Sequence, residues 1–209
     1  RRPIRAFFSV LGLAFALSIL IFSFFMEDSM TYLMDIQYDI TQREDVNLSF
    51  IEPIPYKALE EIRVLPGVLS VEPIRNVPVY LTFKHYKKRT AITGFQQSPQ
   101  LRRIIDDQLK PVKLPKNGLV LNNKLAEILH VNVGDVLNVE VLDEKRQKLS
   151  ITVSAITREF IGLGAFMELR SLNQLLDESP KITGASLSID ANMSIVLYKK
   201  LKAIPMIVG

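Results

Sequence analysis

The first pattern in the chain is an unbroken apolar run from Ala6 to Met26, AFFSVLGLAFALSILIFSFFM, which holds no charged residue and no proline. A helix rises about 1.5 Å per residue, so this run spans roughly 31 Å, close to the bilayer hydrocarbon core of about 30 Å. A helix also pairs its own backbone polar groups, as lipid requires. The run therefore predicts one membrane-crossing helix.

Two other interpretations compete with a membrane crossing. A cleaved signal peptide has a shorter apolar core and a small-residue cleavage site, and Phe24-Phe25-Met26-Glu27 makes a poor one. A core helix of a soluble protein would need protein packed around its whole apolar surface. The length and uniformity of the run favour the membrane over both.

Apolar positions continue beyond the predicted span at spacings of three and four. The residues that form this stripe are Met30, Leu33, Ile36, Gln37 and Ile40. Such spacing is typical of a helix with one apolar face. The helix either packs on its own domain or forms a stalk that pairs with a neighbouring helix, and Gln37 would weaken a coiled coil.

The two ends of the remaining sequence resemble each other. Residues 46–70 align without a gap with residues 185–209, at a shift of 139 positions. Each copy has an alternating strand, a helix with apolar positions three and four apart, a proline that ends the helix, and a short apolar strand. The pattern predicts two small β-α-β units whose strands share one sheet.

The sequence between the two copies has a different pattern. It predicts short alternating strands at 77–83, 89–95, 136–142 and 148–156, with tight turns between them and a short helix at 100–108. Such strands suggest a small inserted barrel or sandwich. The predicted fold class is α+β, with boundaries at 1–45 for span and stalk, 46–95 and 181–209 for the two β-α-β halves, and 96–180 for the mostly-β insertion.

Charge sets the orientation of the predicted span. Arg1, Arg2 and Arg5 precede the apolar run, and two acidic residues follow it. Positive charge stays on the cytoplasmic side, so residues from about 30 onward should face outward, into the periplasm or the exterior of a bacterium. The three arginines are the predicted cytoplasmic anchor.

The remaining composition excludes several classes of function. Removing three of the 26 basic residues leaves 23 against 22 acidic ones, so the exported part is nearly neutral and nucleic acid is not an expected partner. The chain has no cysteine, which excludes disulfides and thiolate chemistry.

Motifs for catalysis, cofactors and metals are absent from the sequence. There is no phosphate loop, dinucleotide fingerprint or nucleophile elbow, so no cofactor is expected. His85 and His130 lack metal-ligand spacing, and the basic run Lys84 to Arg89 favours a solvated hairpin over a lipid or partner contact. A non-catalytic protein is the prediction.

One apolar segment remains as a candidate partner contact. The segment FIGLGAF spans 160–166, and its large residues are Phe160, Ile161, Leu163 and Phe166. The glycines could let strands pack closely, which is the favoured interpretation, or they could present these side chains as an exposed loop.

Several blocks, in this order, resemble one known family. They are the basic leader RRPIR opening into VLGLAFAL, the turn LPGV, the block GLVLNNKLAEILHVNVGDVLNVEV at 118–141, and FMELRSLNQLL at 166–176. Together they resemble the permease subunits of MacB/FtsX-type ABC transporters, the type VII class. The resemblance covers essentially the whole chain.

The resemblance implies a porter-like subdomain of two β-α-β units with a mostly-β, sabre-like subdomain inserted between them. It also implies a separate ABC ATPase partner, a second permease copy or homologous half, and residence in the bacterial inner membrane. Periplasmic or outer-membrane proteins would be further partners. The family has no shared catalytic residues, so none is assigned to this chain.

The predicted function is therefore that of a permease subunit which couples cytoplasmic ATP hydrolysis to movement of its exported domain. Mechanotransmission and export of a lipoprotein, peptide or lipophilic compound both fit. The alternative is a single-span sensor whose exported domain binds a ligand. A membrane-anchored enzyme is the third class, and the motif search speaks against it.

Overall fold

The structure is a computed structural model that describes residues 3–106, 109–143, 146–157, 163–204 and 206–208. Two compact units make up the chain, residues 1–40 and residues 41–209. The first unit is helix α1, Pro3–Asp35, which continues as a π-helical turn from Ile36 to Thr41.

Helix α1 is suited to lipid along its apolar stretch. Of the described helices, it alone is long and apolar enough to cross a membrane, with a mean hydropathy of 2.4 in its most apolar window and no part of that window buried. The hydroxyls of Ser18 and Ser23 donate to the carbonyls of Ala14 and Ile19, at 2.8 and 2.9 Å. These two side chains therefore carry their hydrogen bonds within the helix, as a membrane interior requires.

The second unit begins with a β-α-β unit and ends with another. The first comprises β1 (Val46–Pro55), α2 (Ala58–Arg63) and the start of β2 (Val68–Phe83). The second comprises β8 (Lys181–Ile189), a 3₁₀ turn (Ala191–Met193), α5 (Ser194–Lys202) and β9 (Ile207–Val208). Strands β2 and β9 begin 139 positions apart, the same shift that relates the two sequence copies.

The two units interleave in one antiparallel sheet, named here the interleaved sheet, with strand order β2-β8-β1-β9. Strand β8 lies between β1 and β2, while β1 lies between β8 and β9, so each unit places a strand between the two strands of the other. Helices α2 and α5 bury Leu59, Ile62, Leu197 and Leu201 in one core with Leu48 and Leu187. The sheet is thus complete only when both ends of the unit are present.

The inserted segment supplies the remaining strands and helices. They are β3 (Tyr86–Phe95), β4 (Leu119–Asn122), α3 (Asn123–Leu129), β5 (Val136–Val141), β6 (Lys148–Thr157), β7 (Ala165–Glu168) and α4 (Leu169–Leu175). The strand order is β3-β7-β4-β6-β5-β2, and an additional pairing of β3 with β2 closes the six strands into a barrel.

The core inside the closed ring of strands is apolar. Buried side chains alternate along its strands, as in Val77, Val79 and Leu81 of β2, and residues of α3 and α4 join the same core. The Asn122 side chain accepts from the Lys124 N–H at 2.8 Å and caps α3. Glu168 caps α4 by accepting from the Ser171 N–H at 2.7 Å.

The predicted fold class is confirmed: an apolar helix precedes an α+β domain with two β-α-β units and a mostly-β insertion. The helix predicted at 100–108 is wrong over its described part, because residues 100–106 are not helical, and Arg102 and Ile105 form isolated bridges with Gln42 and Pro111. Leu101, Ile104 and Ile105 are all buried there, so apolar spacing of three and one produced a helical pattern without a helix.

Candidate functional site

Strand β2 passes from the interleaved sheet into the barrel. Ile74 is its last residue paired with β8, opposite Gly184, and Arg75 is its first residue paired with β3, opposite Gly94. The Asn76 N–H donates to the Thr183 hydroxyl at 2.7 Å. We name residues 72–76 the joint, because this short stretch belongs to both sheets.

A buried ion pair lies at the joint. The Arg75 Nη2 donates to Glu178 Oε2 at 2.8 Å, and only 7% of the Arg75 side chain is exposed. Desolvation lowers the pKa of Arg75, while the nearby carboxylate of Glu178 opposes that shift and keeps the charge. Lys181 lies 3.7 Å from the other oxygen of Glu178. The pair therefore fixes β2 against the segment that enters β8.

Arg75 is not fully satisfied by this pair. Its Nε and Nη1 atoms are buried and have no partner among the described residues, and the same holds for Oδ1 of Asn173. Unmet donors and acceptors of this kind carry a desolvation cost and mark places of stored strain or function.

The chain segment that leaves the π-helical turn, named here the exit segment (residues 41–45), is bonded to the loop after β3. The Arg43 N–H donates to the Leu101 carbonyl at 2.7 Å, and the Arg103 N–H donates to the Thr41 carbonyl at 2.8 Å. On the other side of this loop, the carboxylate of Glu72 accepts from the N–H groups of Gln100 and Leu101 at 2.8 and 3.1 Å. The loop thus bridges the exit segment and the joint.

Two acidic residues of the exit segment bear on the same region. Asp45 accepts from the Ser188 hydroxyl at 3.1 Å and from the Ile189 N–H at 2.8 Å, which ties it to β8. Glu44 is half-buried, and its Oε2 has no partner among the described residues. Burial raises the pKa of Glu44, and the negative charge of Glu72 raises it further. The hydrogen bond of Glu44 to the backbone and the positive charge of Arg102 both lower that pKa.

A third apolar cluster packs the bridging loop onto the barrel. Its buried members come from the joint, the loop and the barrel strands; they are Ile74, Phe95, Ile104, Leu114, Val120 and Phe166. The exit segment, the bridging loop and the joint are therefore connected by hydrogen bonds and by packing.

A cleft of about 720 Å³ opens beside the joint. Its lining comes from the residue after β1, the residues after β3, the end of β7, α4 and the turn before β8; it comprises Tyr56, Gln96, Gln97, Glu168, Leu169, Arg170, Asn173, Gln174, Glu178 and Pro180. The volume lies within the range of small-molecule sites, about 300–1,000 Å³.

The candidate contact segment 160–166 is divided by the structure. Phe160 and Ile161 lie outside the described residues, Leu163 is 37% exposed, and Phe166 is buried in the third apolar cluster. The Phe166 ring lies 6.1 Å from that of Phe95. A partner contact by this segment stays a prediction. Of its two candidate residues that the structure describes, Leu163 is exposed and Phe166 is not.

The predicted stalk residues all lie on α1 or its π-helical continuation. Met30 is 61% exposed and Leu33 is 36% exposed, whereas Ile36 is buried. Gln37 and Ile40 are half-buried. Pairing with a neighbouring helix stays a prediction.

The charged anchor and the histidines complete the set of sequence candidates. Arg1 and Arg2 lie outside the described residues, and Arg5 is helical. His85 and His130 flank the Tyr86 ring, at ring centroid distances of 4.0 and 4.2 Å. Among the described residues, no group of three or more His, Asp or Glu side chains could hold a metal ion.

Sequence reasoning missed the joint and the exit segment. Arg75 is the one charged residue between Glu72 and Lys84, in a stretch that alternates between apolar and polar residues. A lone charge in such a stretch was the sequence signal that could have pointed to the joint. Its partner Glu178 lies 103 residues away, so the sequence held no sign of the pair.

Comparison with known structures identifies the fold. The extracellular domain of the noncanonical ABC-type transporter YknZ from Gram-positive bacteria is similar at a TM-score of 0.54, with 10% identity, over 73% of this chain and 87% of that chain. The periplasmic region of MacB from Actinobacillus actinomycetemcomitans gives a TM-score of 0.49 at 10% identity, over 78% and 86%. No protein-family model and no curated protein matches the sequence. At 10% identity, the likeness to the YknZ domain shows a shared fold.

Proposed function

We propose that this chain is the first membrane helix and exported domain of an ABC-type permease. A partner ATPase hydrolyses ATP on the cytoplasmic side, and the permease converts that work into movement of the exported domain. The output is mechanotransmission or the export of a lipoprotein, peptide or lipophilic compound.

One observation carries the proposal: a barrel inserted into an interleaved sheet follows an apolar helix of membrane-spanning length. The same fold occurs in the extracellular domain of a protein described as an ABC-type transporter. One fold can serve many functions, and the likeness is at 10% identity. The apolar helix that precedes the domain is therefore what favours a permease over other proteins with this fold.

The exit segment offers a route for the movement. Its backbone bonds to Leu101 and Arg103 connect it with the bridging loop, and Glu72 connects that loop with the joint. A displacement of the exit segment would therefore be delivered to β2, where the sheet and the barrel meet.

The proposed surroundings follow from the same assignment. The permease resides in the bacterial inner membrane, with residues after about 30 on the periplasmic or external side, and pairs with a second copy or a homologous half. The predicted stalk residues Met30, Leu33, Ile36, Gln37 and Ile40 would line that pairing. Leu163 and its neighbours would contact a periplasmic or outer-membrane protein.

The central experiment is purification of the whole protein from native membranes. We expect an ATP-hydrolysing subunit to co-purify. Because the chain has no cysteine, spin labels can be placed at Asn138 of the barrel and Lys200 of α5, both exposed. Addition of ATP should shift the label distance, and a catalytically inactive ATPase subunit should abolish the shift. Absence of any associated ATPase would refute the proposal.

A second experiment tests orientation. A single cysteine at Lys200 should react with a membrane-impermeant maleimide added outside intact cells, whereas one at Arg5 should react only after the cells are opened. The reverse pattern would contradict the assigned topology.

The sensor remains a second candidate because of the cleft beside the joint. A ligand bound against Asn173 and Glu178 would act on the same ion pair that fixes β2. This candidate predicts a small molecule that raises the melting temperature, and no associated ATPase. Purification from native membranes therefore distinguishes the two functions, because an ATPase subunit should co-purify with a permease and not with a sensor.

A further inference from the structure

The hairpin that joins β2 to β3 ends in an unfavourable turn. The two strands stay in register as far as the pair Phe83 and Tyr86, which leaves Lys84 and His85 as a two-residue turn. Lys84 has a φ of 53°, in the left-handed region. Two-residue hairpin turns normally place glycine, asparagine or aspartate at such a position, so a lysine there costs stability.

The same turn is held firmly. The Tyr86 ring stacks on His130 with an interplanar angle of 14°, and His85 lies against Tyr86 at 4.0 Å. Phe83 and Tyr86 pack on the barrel core. The strained turn is thus fixed to the end of α3 and to the barrel, and it does not relax by bending away.

The hairpin also carries a concentrated positive charge. No acidic residue occurs from Pro73 to Ile105, while Lys84, Lys87, Lys88 and Arg89 crowd the tip. Lys87 is neutralised by Glu140 of β5 at 3.0 Å. Lys84, Lys88 and Arg89 form no ion pair with any residue that the structure describes. We name these three residues with His85 the cationic tip.

The cations of the tip point to both faces of the hairpin. Lys88 lies opposite the buried Leu81 and therefore on the inner face, whereas Arg89 lies opposite Tyr80 on the outer face. Lys84 is the first residue of the turn and is exposed, as is Arg89, whereas Lys88 is half-buried beside the barrel core. Segments that bind anionic lipid carry clusters of about 4–8 Lys or Arg residues. The tip has three that are not already paired, so the acidic surface of a protein fits it better than a lipid surface.

We infer that the cationic tip is a docking element that inserts into an acidic cleft of a partner protein. A strained lysine kept at a turn that favours glycine, on a rigid support, is the combination expected where charge is needed more than stability. Lys84 lies nine residues from Arg75, about 30 Å along the strand at about 3.3 Å per residue, so the tip is distant from the joint. This inference goes beyond the proposed permease function and does not depend on it.

The test places a photo-crosslinking amino acid at position 85 of the whole protein in native membranes. We expect a crosslink to one protein, at a segment rich in aspartate and glutamate. The triple reversal K84E/K88E/R89E should lower the yield by at least about tenfold, as loss of paired interface charges does. The matched control K199E/K200E/K202E reverses three exposed lysines of α5 and should leave the yield unchanged.

Two further variants separate a docking role from a folding role. K84G relieves the left-handed strain, so it should raise the melting temperature and yet lower the crosslink yield several-fold. Reversing the crosslinked acidic residues of the partner should restore binding to the triple variant.

Several results would overturn the inference. They are no crosslink at position 85, a crosslink to a segment without acidic residues, or a yield that neither the triple reversal nor K84G changes. Binding to vesicles of phosphatidylglycerol and phosphatidylcholine in equal parts, lost in the triple reversal, would assign the tip to a lipid surface and would equally overturn it. None of these readouts measures transport, so they are independent of the permease test.

Discussion

The barrel and the interleaved sheet are built from strands of the same chain, yet they differ in how their edges end. All six barrel strands have neighbours on both sides, because β3 pairs with β2 and closes the ring. Among the described residues, the interleaved sheet does not close on itself, and its outer strand β9 is paired with β1 alone. A closed ring resists shear, whereas an open sheet can twist and slide.

The difference teaches where movement can be absorbed. Strand β2 is common to both regions, so the barrel can turn as a rigid body only if the joint or the open sheet yields. The Arg75–Glu178 pair and the bridging loop limit that freedom on one side, and the one-sided pairing of β9 leaves it on the other. In the proposed permease, the barrel would therefore move as the rigid part and the sheet would deform.

The sharpest test of this contrast compares two leucines of equal burial. Leu81 in the barrel and Leu48 in the sheet are 0% and 1% exposed. Leu→Ala substitutions cost about 2.7–5 kcal/mol, least where the surroundings can collapse into the cavity. We expect about 4 kcal/mol for Leu81→Ala and about 3 kcal/mol for Leu48→Ala.

Urea unfolding of the detergent-solubilised chain measures both values, and Leu69→Ala, at an exposed position, is the control that should change little. An equal or larger loss for Leu48→Ala would show that the open sheet is as stiff as the barrel.

The next effect concerns the apolar segment before α4. Phe166 is 8% exposed and packs in the third cluster, whereas Leu163 is 37% exposed. Phe166→Ala should therefore cost about 3 kcal/mol and Leu163→Ala less than about 0.5 kcal/mol, by thermal or urea unfolding. If both variants are equally stable, the segment is not anchored as described.

The joint is tested by removing one half of its ion pair. Arg75→Met leaves the half-buried Glu178 with Lys181 at 3.7 Å, and breaking such a pair should cost about 3 kcal/mol. We also expect unfolding to divide into two transitions, because the connection between the sheet and the barrel is weakened.

The double variant Arg75→Met/Glu178→Leu should recover most of that stability, because no charge is left uncompensated. A double variant as unstable as the single one would mean that Arg75 acts through packing rather than through charge.

The smallest expected effect concerns Glu44 and pH. Its pKa is raised above the ordinary value of 4.5 because the folded chain desolvates the carboxylate. Stability from this group is full below that ordinary value and is lost as the pH rises through the raised pKa. Glu44→Gln should thus be more stable than the parent near pH 8, and the difference should shrink near pH 4.5. Urea midpoints across that range measure it; a constant difference would contradict the assignment.

Local patterns were sufficient for the interleaved sheet. Prolines at the same relative position of each copy predicted that both helices end, and the strands that follow begin at Val68 and Ile207. Because turn chemistry and alternation act within a few residues, the two β-α-β units could be predicted without knowing their partners.

Long-range pairing was beyond local patterns. The sequence analysis predicted a short strand at the end of the first copy, residues 46–70, and a separate strand at 77–83. The chain instead forms one strand of 16 residues, in which Pro73 and Pro78 face Ala185 and Ala91. Which strands would close a ring, and which carboxylate would meet Arg75, depended on contacts across about 100 residues.

The position of β8 between β1 and β2 has a consequence for biosynthesis. Val46 pairs with Leu187, so the first strand waits for a neighbour made about 140 residues later. At about 5–20 residues per second, that wait lasts about 7–30 s. The barrel can form during this interval from its own contiguous segment, while β1 keeps its edges unpaired. A chaperone that binds extended chains would therefore have β1 as a target throughout this interval.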